Sequence, residues 1–189
     1  MKSLILALVL AVCSAPVLAD SYSATLTGAQ EATPNASPAV GAAIVTFDVT
    51  SHTLTVGTVF TDLLGTVTAA HIHCCVAPPG TAGVATMVPT FTGFPSGVTE
   101  GTYLMSFDTS LASTWNATFI ANNGGTTAGA EAALLAGLDA GIAYLNIHTT
   151  LYPAGEIRGF LAPIPEPATA MMLLLGVPFA LGVARRRRT

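Results

Sequence analysis

Between Asp20 and Ile164 the chain contains no lysine and a single arginine, Arg158. The same stretch carries nine acidic residues, a net charge of −8 that the whole-chain value of −4 conceals because five of the six basic residues lie outside it. A surface so poor in cations cannot neutralise a row of phosphates, which excludes nucleic acid as a partner. Anionic lipid headgroups are excluded by the same sign. Cysteine is scarce too. Cys13 lies within residues 1–19, and the rest of the chain keeps only Cys74 and Cys75, which are adjacent. Neighbouring cysteines close a ring outside the usual disulfide geometry, so free thiols, a vicinal disulfide and metal thiolates all stay open. There is no Gly-rich phosphate loop, no nucleophile elbow and no Cys-x-x-Cys pair, so no catalytic residue is assigned and a non-enzymatic protein is expected.

The long apolar runs sit at the two ends. Residues 1–19 combine Lys2, an apolar run from Leu4 to Val12, and Val17-Leu18-Ala19 before Asp20, which is the pattern of a removable secretory signal. At the other end, Pro165-Glu166-Pro167 precedes an uncharged stretch, 168–184, and then Arg185, Arg186, Arg187 and Arg188. A helix over 168–184 would reach roughly 25 Å, barely enough to cross a bilayer, and the arginines would hold its end in the cytoplasm. Both ends therefore place the intervening residues outside the cytosol. The segment 165–189 resembles the PEP-CTERM sorting signal of Gram-negative bacteria. That resemblance implies an inner-membrane intermediate and recognition by an exosortase-type transpeptidase, which would leave the protein in the envelope, at the cell surface or outside the cell.

Residues 20–164 are about the size of one domain. Short β-branched or alternating runs recur at Tyr22–Thr27, Ala42–Val49, Thr53–Phe60, Val67–His73, Val84–Pro89, Thr102–Phe107, Trp115–Ala121, Ile142–His148 and Glu156–Leu161. This spacing predicts an all-β fold, an antiparallel Greek-key β-sandwich. In the run Ile44 to Val49, alternation puts Val45, Phe47 and Val49 on the core side. One helix is expected over Ala128–Ala140, with Thr127 as N-cap, Gly141 past its end, and Leu134, Leu135 and Leu138 on its buried stripe.

Two strands carry the polar residues of interest. In Ala69-Ala70-His71-Ile72-His73 the histidines are two apart and share a face. In Tyr144-Leu145-Asn146-Ile147-His148, alternation puts Tyr144, Asn146 and His148 on one face. The turn Pro153-Ala154-Gly155 should fold Glu156 and Arg158 back alongside, with Arg158 paired to Glu156. His71, His73 and His148 together would suit zinc or copper with one open position, whereas His52 sits beside a turn.

These blocks, with Ala24-Thr25-Leu26-Thr27-Gly28-Ala29-Gln30-Glu31, Gly41 and Pro153-Ala154-Gly155-Glu156-Ile157-Arg158-Gly159, occur in an order that resembles the CHRD domain, named from chordin. The resemblance implies an extracellular β-sandwich of Greek-key type; in animal relatives such units occur in a protein that binds growth factors, and here protein or polysaccharide is the expected partner, with no cofactor expected. Cys74-Cys75 departs from the family, which usually has glycine or small polar residues there. By analogy of fold alone, the His-Ile-His strand before a Gly-rich loop is also similar to the copper, zinc superoxide dismutase sandwich. The leading expectation is thus an exported, non-enzymatic binding or structural module. The alternative is a His-ligated zinc or copper protein with weak redox or hydrolytic activity.

Overall fold

The computed structural model describes residues 20–165. The expected signal segment and all of the sorting segment except the exposed Pro165 lie outside the described residues. Eight strands form: β1 (Asp20–Thr27), β2 (Val40–Asp48), β3 (Thr53–Thr61), β4 (Val67–His73), β5 (Gly101–Asp108), β6 (Tyr144–Thr149), β7 (Ile157–Phe160) and β8 (Ala162–Pro163). All pairings are antiparallel, in the order β4-β6-β7-β1-β2-β3-β5, with β8 also against β1. The fold is all-β as expected. Its strands form one curled sheet, a half-barrel, because β1 pairs with β2 on one side and with β7 and β8 on the other.

Side-chain alternation decides which face is inner. On β2, Ala43, Val45 and Phe47 are buried while Ile44 is 57% exposed, and on β3 Leu54, Val56 and Phe60 are buried beside them. β4, β6 and β7 send Ala70, Ile72, Leu145, Ile147 and Ile157 into the same core. Fully burying each of the valine, leucine, isoleucine and phenylalanine side chains contributes about 1.5–3 kcal/mol. Val49 falls past the end of β2 and is exposed.

Two expected strands are absent. Trp115–Ala121 contains helix α1 (Ala117–Asn122), because the Asn116 side chain caps it by accepting from the Thr118 N–H. Its Phe119 stacks on Trp115 at 6.0 Å between ring centroids. Val84–Pro89 makes only isolated bridges, His73 to Val84 and Thr86 to Trp115. There the Thr86 hydroxyl, not a ladder of carbonyls, accepts from the Ile72 N–H at 3.1 Å. The expected helix is α2 (Thr127–Asp139), with Leu134 and Leu138 fully buried and Leu135 partly so. Its cap is Thr126, one residue earlier than expected, which accepts from Gly129 N–H at 3.0 Å.

Helix α2 is held against the sheet at several places, one of them the Tyr22 hydroxyl of β1, which donates to Asp139 Oδ1 at 2.6 Å. Cys74 and Cys75 are bonded to each other, and a side chain at Gly137 would collide with both sulfurs, so glycine is what lets the helix approach. Farther along the sheet, buried Glu131 accepts from Thr109 Oγ1 and lies 2.8 Å from Nδ1 of half-exposed His52 in the β2–β3 turn.

The Glu131 hydrogen bond and charge raise the His52 pKa. A raised histidine pKa means that this contact is fully present below about pH 6.5, the unfolded value, and is lost as pH rises through the folded value. The difference in melting temperature between wild type and His52→Ala should therefore shrink from pH 5.5 to pH 8.5. A constant difference would show that the pair contributes no charge-dependent stability.

Candidate metal centre

The outer face of β4, β6 and β7 is as polar as their inner face is apolar. Register places His71 opposite Asn146 and Asn146 opposite Arg158; the next rung is His73, Tyr144 and Phe160. The same register places His148 opposite Ala69, on the same face; the ladder shifts only beyond that pair, between Ala69 and Val67. The Pro- and Gly-rich segment after β4 lies over this face, so His71, His73, Asn146 and Arg158 are all buried.

The three histidines converge. Each has one ring nitrogen on a main-chain carbonyl: His71 Nε2 on Pro89 O (2.6 Å), His73 Nδ1 on Ala82 O (2.9 Å) and His148 Nδ1 on Pro153 O (3.0 Å). A carbonyl only accepts, so each of these nitrogens must donate, and the remaining nitrogen of each neutral ring carries a lone pair. Those nitrogens, His71 Nδ1, His73 Nε2 and His148 Nε2, are buried and have no hydrogen-bond partner. The three residues offer ligand atoms within 4.8 Å of one another, so one point lies no more than about 2.8 Å from all three, against roughly 2.0–2.1 Å for a zinc–imidazole bond. Burial lowers all three pKa values, that of His73 to about 4, which keeps the rings neutral at pH 7. A carbonyl on the outer nitrogen orients a ligating imidazole and raises its basicity. Tyr144 stacks on His73 at 4.9 Å and 6° and fixes that ring further.

Arg158 does not pair with Glu156. Its guanidinium donates to Gln30 O, Gly80 O (2.9 Å) and Pro79 O (2.7 Å), lies 3.9 Å from Glu31 Oε2, and covers the Tyr144 ring at 4.7 Å. The expected pairing fails because Glu156 stands before β7 begins, so strand alternation does not reach it. The Glu156 carboxylate turns away and accepts from Ser37 Oγ (2.6 Å), Leu64 N–H (2.6 Å), Gly65 N–H (3.1 Å) and Thr149 Oγ1 (2.7 Å). Burial works to raise its pKa, but these four donors together hold it below the usual carboxylate range.

Glu31 is the buried residue that alternation could not single out. Burial raises its pKa to about 7 against the opposing charge of Arg158. Its Oε1 and Asn146 Oδ1 are both buried without a hydrogen-bond partner. Gly155 closes over them: a Cβ there would stand 2.5–2.7 Å from the Asn146 amide and Glu31 Oε1, so only glycine fits. A cleft of about 230 Å³ runs beside the centre, with Glu31, Thr33, His73, Thr81 and Asn146 in its walls.

The family model for the CHRD domain matches residues 22–161, a span that includes every residue of this polar face. The chain belongs to the CHRD-domain family. No curated protein and no solved structure matches it. The CHRD match runs from Tyr22 within β1 through β7 and includes both helices, so the histidine centre lies inside the family domain and is not an appendage to it.

Replacing Arg158 by methionine keeps bulk but strands Glu31 and leaves three main-chain carbonyls without their donor. Breaking a buried pair from one side costs about 3 kcal/mol or more. Arg158→Met should lower unfolding free energy in urea by that order, and a loss below about 1 kcal/mol, the range of an exposed pair, would contradict the role given to this cation.

Proposed function

We propose that this protein is an exported CHRD module that binds a transition metal, zinc or copper, through His71 Nδ1, His73 Nε2 and His148 Nε2. One observation carries the reading: three clustered histidines, with ligand atoms within 4.8 Å of one another, each keep one buried ring nitrogen without a partner while a main-chain carbonyl engages the other. A structural histidine normally satisfies both ring nitrogens or leaves one in water, and this cluster does neither. Three imidazoles leave one position open, suited to an additional oxygen or nitrogen donor. The reading is of a binding module, with no catalytic step assigned.

Export and sorting are supported by the two termini. The Lys2-led apolar segment precedes Asp20, and Pro165-Glu166-Pro167 precedes 168–184 and the arginines 185–188. On this reading an exosortase-type enzyme processes the tail, and the module reaches the envelope or matrix, where polysaccharide or protein is its partner. Mass spectrometry of the cell-surface product should then find Met1–Ala19 and Arg185–Arg188 removed. An intact chain recovered from the cytosol would end this part of the proposal.

Metal analysis tests the centre directly. Purified wild type should hold about one equivalent of zinc or copper, and His71→Ala or His148→Ala should lose most of it. Equal metal content in wild type and both variants would overturn the assignment. Protons compete for the ligand nitrogens only below their pKa values, and burial depresses all three. Metal should therefore stay bound as pH falls through 6.5, the ordinary imidazole value, and be released only at more acidic pH.

A further inference from the structure

β4 and β5 are the two edges of the curled sheet. They are treated differently. The free side of β4 is covered by 83–97, whose main chain bonds it repeatedly: Cys74 N–H to Gly83 O, Ala85 N–H to Ile72 O, Phe91 N–H to Ala70 O and Gly97 N–H to Val67 O, at 2.9–3.2 Å. β5 has nothing of the kind. Among the described residues, no main-chain group of 101–107 bonds to anything but β3. The strand is eight residues long, and 101–107 contain no proline, lysine or other charge, the usual protections of an edge. Leu104 is 75% exposed and Met105 39%, and Leu104 continues an uncharged outer groove with Ala42, Ile44, Gly57 and Val59.

We propose that β5 pairs antiparallel with β5 of a second copy of this chain, about a two-fold axis at Met105. Two-fold pairing is self-complementary, so one bare edge satisfies another without a further partner. The register follows from faces and charges. A slip of one residue would set outward Leu104 against inward Met105 of the other copy. An axis at Leu104 would set Glu100 against Asp108 at both ends, and like charges directly opposite are destabilising. The axis at Met105 avoids both. It places Thr102 opposite Asp108, Tyr103 opposite Phe107 and Leu104 opposite Ser106 of the second copy. The domain carries a net charge of −8, yet this strand between Glu100 and Asp108 is neutral, so two copies can meet here without strong repulsion. This inference is independent of the metal centre, which lies on β4 and β6.

The test uses the full-length protein at about 50 µM, a level that populates modest interfaces. Light scattering after size exclusion should give a dimer. Leu104→Glu with Ser106→Glu places like charges opposite each other twice and should give a monomer with an unchanged circular dichroism spectrum. Leu104→Glu with Ser106→Lys makes opposite-charge pairs and should restore the dimer. Under mild oxidation Met105→Cys should form a cross-linked dimer, and Leu104→Cys should not. A monomeric wild type overturns the proposal, as does a dimer that survives the double Glu substitution or one that cross-links through position 104 in place of 105. Metal content read on the same samples keeps the two proposals separate.

Discussion

One desolvated cation holds the polar half of this protein together. Arg158 is 1% exposed, and a guanidinium so far from water persists only where oxygen atoms replace its hydration. Those oxygens come from Gln30 and Glu31 after β1 and from Pro79 and Gly80 after β4. Each is far from Arg158 in sequence. The side chain therefore draws two loops down onto β6 and β7, and those loops shut solvent away from the ring of Tyr144 and from His73.

The consequence is a sheet buried on both faces in one region. Antiparallel sheets commonly leave one face to water. Here β4, β6 and β7 pack aliphatic side chains inward and cover their polar side with loops. Buried polar groups must find partners, and most do: Glu156 alone takes four donors and ties the β6–β7 turn to the segment after β3. Against that background the five buried side-chain atoms without partners among the described residues stand out, because they are one ring nitrogen of each of the three histidines and one oxygen each of Glu31 and Asn146. A region satisfied almost everywhere else leaves its open valences in one place.

How much of this was legible depended on the range of the interaction. Seven of the nine expected runs are strands, since period-two alternation is a local property that long-range packing reinforced. The shared face of His71 and His73, and that of Tyr144, Asn146 and His148, were legible for the same reason. Alternation alone, however, gives no hint that their outer nitrogens meet carbonyls from Pro89, Ala82 and Pro153, because every residue has a carbonyl and none is marked by its side chain. Trp115–Ala121 was misread because β-branched and aromatic residues favour strands on average, whereas Asn116 caps a helix and Phe119 supplies the packing that holds it. The partner of Arg158 was misassigned by extending strand geometry one residue past the strand's start. Glu31 stood in the family block, but its burial depends on a contact spanning more than a hundred residues.

The cover over the histidines is fastened almost wholly through main-chain oxygens, those of Gln30, Pro79, Gly80, Ala82, Pro89 and Pro153. Attachments of that sort depend on the path of the chain and are indifferent to what each residue displays. Evolution is then free to rewrite those loops, changing what they present to the outside, while the anchoring residues below stay the same.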